Sequence, residues 1–297
     1  MSGAHNKTII NKKQIQRIIH QYTKLGKSAY KIAKQCNFTY TIIYRILHEN
    51  NIKIRNPHDC HRKYKINESY FNKINTPNKA YFLGLLYADG AVCINGNRCY
   101  TISINLQARD KHILTLLNKE LKYNKPLDFI DRTKENNKQN QYKVIIYSEK
   151  IAKDLNKLGC IVNKSLTVKW PSNEQVPTKL IRHFIRGYFD GDGTVCLSSV
   201  SKTPKKRKYI RQIRFGIIGT FNTCYYFRKY MVDTLNFNKI KILKHHSTRD
   251  LFYIVYTGNK LAKKFSNLLY NKVNKATYLK RKYKRFKVNN DKLPKTH

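Results

Sequence analysis

Acids are scarce in this chain. Its 297 residues carry 17 Asp and Glu against 60 Lys and Arg, a formal net charge of +43. A polycationic partner is excluded by such a balance, and a field of this sign suits a polyanion. A bias towards Lys, Asn, Ile and Tyr accounts for part of the lysine content but not for the shortage of acids. A ribosomal or membrane-surface role would share the charge. Long apolar runs are also missing: none reaches the roughly 18–20 residues that cross a bilayer, so no membrane span is expected. The opening residues MSGAHNKTIINKK hold no apolar core of a secretion signal. Cysteines number seven, an odd count with no Cys-x-x-Cys pair, which favours reduced thiols in an intracellular setting over a disulfide frame. His58, Cys60 and His61 cluster, but no second pair follows at zinc-site spacing. Hydrophobic residues make up 41% of the chain, enough for a real core.

Residues 1–56 are expected to form a small all-α domain. Ile15, Ile18, Ile19 and Tyr22 share one helical face before Gly26 interrupts it. From Ala29 to His48, Ile32, Cys36, Phe38, Ile43 and Ile46 recur at helical spacing around the small Ala33. Asn37 stands where a tight turn needs a left-handed residue. The pattern resembles a helix-turn-helix, and an ordinary pair of antiparallel helices has the same outline. As a reader helix, residues 39–49 would expose Thr39, Tyr40, Thr41, Tyr44 and Arg45 to DNA. Residues 57–73, with Arg62, Lys63 and Lys65, read as a basic linker, either lying along phosphates or simply solvated.

The remainder repeats itself. Residues 81–93 read YFLGLLYADGAVC and residues 184–196 read FIRGYFDGDGTVC, with Asp89 and Asp192 lying 103 positions apart. A second match, YKVIIYSEKIAKDLNKLG against FYIVYTGNKLAKKFSNLL, sets Tyr147 and Tyr256 109 positions apart. Each half therefore reads helix, strand pair, helix, strand pair, helix. In each motif a glycine precedes a small residue by four positions: Gly84 and Ala88, Gly187 and Gly191. Such residues stack on one helix face and permit close backbone approach. Two helices joined along that face would bring Asp89 and Asp192 together at their C-terminal ends. Carboxylates that close repel unless cations lie between them, and carboxylate with phosphate oxygens is the ligand set Mg2+ prefers.

FLGLLYADG (82–90) and IRGYFDGDG (185–193) resemble the paired motifs of LAGLIDADG homing endonucleases. The resemblance covers residues 74–288, helped by LGCIVNKSLTVKWP and ATYLKRKYKRF. It implies an α+β fold of two pseudo-symmetric αββαββα half-domains, over 74–175 and 176–288, whose saddle-shaped antiparallel sheets sit on the DNA major groove. It implies two or three divalent ions, Mg2+, shared between Asp89 and Asp192 at the eighth motif position, with the flanking Ala88, Gly90, Gly191 and Gly193 near them. Lys164 and Lys282, at matching places late in each half, and Gln107 are carried over as candidates that assist catalysis. Among so many basic residues, each lysine taken alone fits a phosphate contact or a solvated face better, and Gln107 equally fits a cap or a base reader. Arg98, Tyr100, Ser103, Asn105, Arg211, Gln212 and Arg214 alternate with apolar strand residues and are candidates for groove contacts. The sixth motif position differs, Tyr87 against Asp190, and a diverged pair suits an asymmetric target.

The expected protein is a monomeric, site-specific DNA endonuclease, intracellular and not secreted, with a C-terminal tail over 289–297. It lacks splicing residues at either end, as a freestanding or intron-encoded nuclease would. An intron RNA maturase or a non-catalytic DNA-binding regulator on the same fold are the rivals. Two retained acids speak against the regulator.

Overall fold

The computed structural model describes residues 10–54, 64–95, 99–135, 138–161, 166–203, 208–246, 250–274 and 277–287. Contacts divide the chain into two units, 1–65 and 66–297.

The first unit holds three helices, α1 (Lys12–Thr23), α2 (Ala29–Cys36) and α3 (Tyr40–Glu49). Asn11 and Gln14 form a reciprocal capping box on α1, and the Ser28 hydroxyl accepts from Lys31 N–H at the start of α2. Ile18, Tyr22, Ile32, Ala33, Ile43, Ile46 and Leu47 fill the core between them. Between α2 and α3 the chain reverses at Asn37, whose φ of 56° and ψ of 38° are left-handed as the sequence required. Phe38 N–H then bonds back to the Ala33 carbonyl at 3.0 Å.

In the second unit the two halves follow one plan. The first runs α4 (Pro77–Asp89), β1 (Gly90–Asn95), β2 (Cys99–Gln107), α5 (Lys111–Glu120), β3 (Asp128–Ile130), β4 (Gln141–Tyr147), α6 (Glu149–Lys157). The second runs α7 (Ile181–Asp192), β5 (Gly193–Thr203), β6 (Lys208–Gly219), α8 (Phe221–Leu235), β7 (Leu243–Lys244), β8 (Phe252–Thr257), α9 (Asn259–Tyr270), and adds α10 (Lys280–Phe286). Each half forms one antiparallel sheet, ordered β1-β2-β4-β3 and β5-β6-β8-β7. This is the duplicated αββαββα architecture expected from the repeats.

Alternation decides which side chains reach the helices. Ile102, Ile104 and Leu106 of β2 and Ile213, Phe215 and Ile217 of β6 are buried on one face. Thr101, Ser103, Asn105, Gln212 and Arg214 lie on the other, more open face. Residues 66–73, expected within the linker, pack with the second unit instead. Tyr70 and Phe71 are buried, the Tyr70 hydroxyl donates to Glu120 at 3.0 Å, and the Ser148 hydroxyl donates to Glu68. At the other end α10 seats Phe286 against the Phe189, Phe215 and Phe265 rings, while Arg281 pairs with buried Asp110 of the first half at 2.8 Å.

Candidate active site

Helices α4 and α7 touch backbone to backbone. A Cβ on Gly84 would lie 2.0 Å from the Phe184 carbonyl oxygen, and one on Gly187 would lie 1.9 Å from that of Tyr81. Any side chain at either place is sterically incompatible with this approach, so both glycines are required by the contact. The same approach continues to the helix ends. A Cβ on Gly191 would stand 2.3 Å from the Ala88 methyl carbon and 3.1 Å from Asp89 Oδ2. Asp89 closes α4 and Asp192 closes α7, each followed by an extended glycine that opens a strand, Gly90 and Gly193. Asp89 is exposed and Asp192 half-buried. The charges of both act on the Tyr188 hydroxyl and on the Lys282 ammonium, so the two carboxylates share one neighbourhood.

Beneath that neighbourhood lies a buried polar layer. Lys282 Nζ donates to the carbonyls of Phe189, Gly191 and Gly193 at 2.6, 2.9 and 2.6 Å, capping the C-terminal end of α7. All three of its protons are thereby engaged, and burial pulls its pKa down to about 8. Asp190, fully buried, accepts from the Tyr81 hydroxyl and from Leu279 N–H, each at 2.8 Å. Burial pushes its pKa up to about 6 against the pull of Lys282. Arg186, also fully buried, donates to the Thr277 and Leu269 carbonyls and to His183 Nδ1. Burial, then the Arg186 charge, brings His183 down to about 4. Sequence inspection missed Arg186, His183 and Tyr188; their one visible signal is polarity on the helix that carries the acid.

The remaining candidates are scattered relative to this centre. Gln107 ends β2, three residues beyond the Gly90–Ile104 pair, and its Oε1 accepts from Arg109 Nε at 2.8 Å. Ser103, Asn105, Gln212 and Arg214 share the open faces. Tyr100 does not: it has the parity of Ile102, and its hydroxyl acts on Lys153 of α6 on the helix side. Arg211 has the parity of Ile213 and likewise turns from the open face. Both corrections follow from counting strand positions from a buried neighbour. On α3, Tyr40, Thr41 and Arg45 are exposed, Tyr44 is half-buried against the Tyr40 ring at 4.3 Å, and Thr39 is the exposed N-cap.

Lys164 and Arg98 lie outside the described residues. Lys282 is not the positional counterpart of Lys164. The tripeptide Val-Asn-Lys recurs at 162–164 and 273–275, which makes Lys275 the match; it too lies outside the described residues.

Among the described residues no group of three or more His, Cys, Asp or Glu side chains converges. The protein therefore offers a metal two carboxylates, at helix ends where backbone carbonyls also point outward. Two of those carbonyls, Gly191 and Gly193, already accept from Lys282. A hard, oxygen-preferring divalent cation fits this set if water or substrate oxygens complete its shell. A softer, nitrogen- or sulfur-seeking metal does not.

A duplicated αββαββα unit with one acid from each half at the helix crossing defines the class of molecule. Residues 179–270 match the family model described as LAGLIDADG-like domain. The matched stretch lies in the second half, and the first half repeats its architecture. Three solved structures are similar to the chain. The LAGLIDADG homing endonuclease I-LtrWI bound to target DNA is 15% identical, covers 74% of this chain and 89% of its own, and has a TM-score of 0.45. I-SmaMI bound to cleaved DNA gives 15% identity, 72% and 87% coverage and 0.45. The meganuclease I-AabMI bound to uncleaved DNA gives 11%, 68% and 87%, and 0.43. No curated protein matches the chain.

Proposed function

We propose that the chain is a site-specific DNA endonuclease that hydrolyses one phosphodiester in each strand of a long, asymmetric target. The observation that carries this reading is that Asp89 and Asp192 share one neighbourhood at the crossing of α4 and α7, each followed by the glycine that opens the first strand of a sheet. The open faces would lie in the major groove, with Ser103, Asn105, Gln212 and Arg214 against base edges. A net charge of +43 supplies the phosphate attraction such an interface needs.

Asp89 and Asp192 would hold divalent cations, Mg2+ by their oxygen donors, two or three in number as the family resemblance implies. When bound, such ions neutralise charge on the phosphoryl group and make water acidic enough to act as a nucleophile. The chain's own part is placement. Gly84, Gly187 and Gly191 set the separation of the acids, and Lys282 and the Asp190 layer fix the end of α7. Lys164, with Lys275, is proposed to steady developing charge, and Gln107 to orient a solvent or base group. In the N-terminal unit α3 would enter the major groove through Thr39, Tyr40, Thr41, Tyr44 and Arg45, adding affinity for flanking DNA.

The test is cleavage of DNA spanning the site where the gene is inserted, with Mg2+ present. A double-strand cut there is expected. Asp89→Asn and Asp192→Asn should each abolish cutting while leaving binding intact, and full cutting by either variant would remove the site assignment. Failure of a host intron to splice without the protein would favour the maturase reading.

A further inference from the structure

Among equivalent positions on the two open faces, one cross-strand row sets an arginine against a threonine. In the first sheet Cys93, Thr101 and Tyr147 stand side by side across β1, β2 and β4. The matching row of the second sheet is Cys196, Arg214 and Thr257 across β5, β6 and β8. The match is fixed by register, since the row lies three residues along from the Gly90–Ile104 and Gly193–Ile217 pairs. Arg214 is exposed, and no acid pairs with it among the described residues. Small side chains flank it on both strands, and Gly216 leaves the next row of β6 bare. A guanidinium there is free to extend away from the sheet. In the first half the same place holds a short hydroxyl beside Tyr147, which is 52% exposed. No arginine occurs on the described open face of the first sheet.

We propose that Arg214 is a specificity-determining residue that reads a guanine in the half-site under the second sheet, while the symmetry-related position under the first sheet is not read as guanine. Resting on the endonuclease reading above, the inference names part of its substrate. The chemistry is the planar fork of arginine on the O6 and N7 acceptors of guanine in the major groove. Thr101 has no second donor for that pattern, and its methyl suits a thymine instead.

Selection of cleaved or bound molecules from a library with both half-sites randomised tests this, run with the full-length protein, Arg214→Gln and Arg214→Lys. Wild type should enrich guanine at one position of one half-site and not at its mirror position. Arg214→Gln should lose that preference alone, turn it towards adenine, and weaken binding to the wild-type target by roughly 10–100-fold. Arg214→Lys separates reading from charge: a base reader loses the fork and with it part of the guanine preference at that one position, whereas a phosphate contact keeps the whole profile. An unchanged profile in both variants, or a uniform weakening at every position, overturns the assignment of Arg214. Absence of enrichment by the wild type on any library would instead sink the endonuclease reading itself, a distinguishable failure. Arg214 is exposed, so melting temperatures of the variants should equal that of wild type.

Discussion

Replacing Gly187 by alanine tests the central claim, that backbone contact between α4 and α7 sets the distance between the acids. The added methyl would sit 1.9 Å from the Tyr81 carbonyl oxygen and 2.8 Å from the Leu85 nitrogen. Both are backbone atoms, so no rotamer change relieves the clash. Ordinary carbon contacts begin near ~3.5 Å, so the helices must part by roughly 1.5 Å. Overpacking of this kind costs about 1–3 kcal/mol, and rigid partners place it at the upper end. For a unit of this size that corresponds to a fall in Tm of roughly 6–12 °C. The reciprocal contact at Gly84 opens with it, and so does the approach of Gly191 to Ala88 and Asp89. Misplacement of reacting groups by about 1 Å costs on the order of 100-fold in rate. Single-turnover cleavage at 25 °C, below the lowered transition, should therefore drop by about that factor. DNA affinity, carried by sheets whose strands are unaltered, should change little. Thermal unfolding by circular dichroism gives the first quantity and quenched cleavage the second. A variant that melts and cuts like wild type would refute the reasoning, because the helices would then have room that the structure denies them.

Lys282→Met should lower stability to urea by about 1–3 kcal/mol, since three carbonyls at the end of α7 lose their donor while a buried charge is relieved; no loss would mean that water replaces the ammonium. His183 and Asp190 should give opposite acid responses. The lowered His183 pKa makes the native state bind fewer protons than the unfolded chain between pH 6.5 and about 4, so its contribution is lost as pH falls through that window. The raised Asp190 pKa makes the native state bind more protons between about 6 and 3.8, so its contribution grows as pH falls. On acidification from pH 7 to 4, Asp190→Asn should thus lose more stability than wild type and His183→Gln less, each by up to about 3 kcal/mol; the same profile in all three would discount both groups. Deleting residues 1–56 should weaken DNA binding and reduce the slope of log affinity against log salt; an unchanged slope would mean that the N-terminal unit does not touch DNA.

The duplicated architecture was legible because strand and helix periods recur in the same order at nearly one offset, and a hydrophobic period is a local property. The acids were legible for the same reason, each closing a repeated helix. Face assignment was harder. Tyr100 and Arg211 sit among alternating residues, yet each falls on the helix side by one position, and a shift of one reverses every side chain. The polar layer under the acids was hidden for another reason. Arg186, His183 and Asp190 are polar residues on the helix, and two of them are tied to a distant segment: Arg186 donates to the Thr277 carbonyl and Asp190 accepts from Leu279 N–H. A contact made some ninety residues away along the chain leaves no mark on local periodicity.

A distant contact of this kind also accounts for the difference at the sixth position of the two motifs. Tyr87 and Asp190 occupy the sixth position of their helices, and both are buried. The Tyr87 hydroxyl donates to the carbonyl of Leu158, just beyond α6. The Asp190 carboxylate accepts from the N–H of Leu279, beyond α9. In each half the sixth residue therefore fastens the acid-bearing helix to the segment that follows the αββαββα unit, once as donor to a carbonyl and once as acceptor from an amide. Replacing Tyr87 by Asp would set an ionised carboxylate against the Leu158 carbonyl, acceptor against acceptor, and leave buried oxygens unpaired. The difference between the motifs is thus a reversal of hydrogen-bond direction in a shared latch, and it leaves Asp89 and Asp192 at equivalent positions.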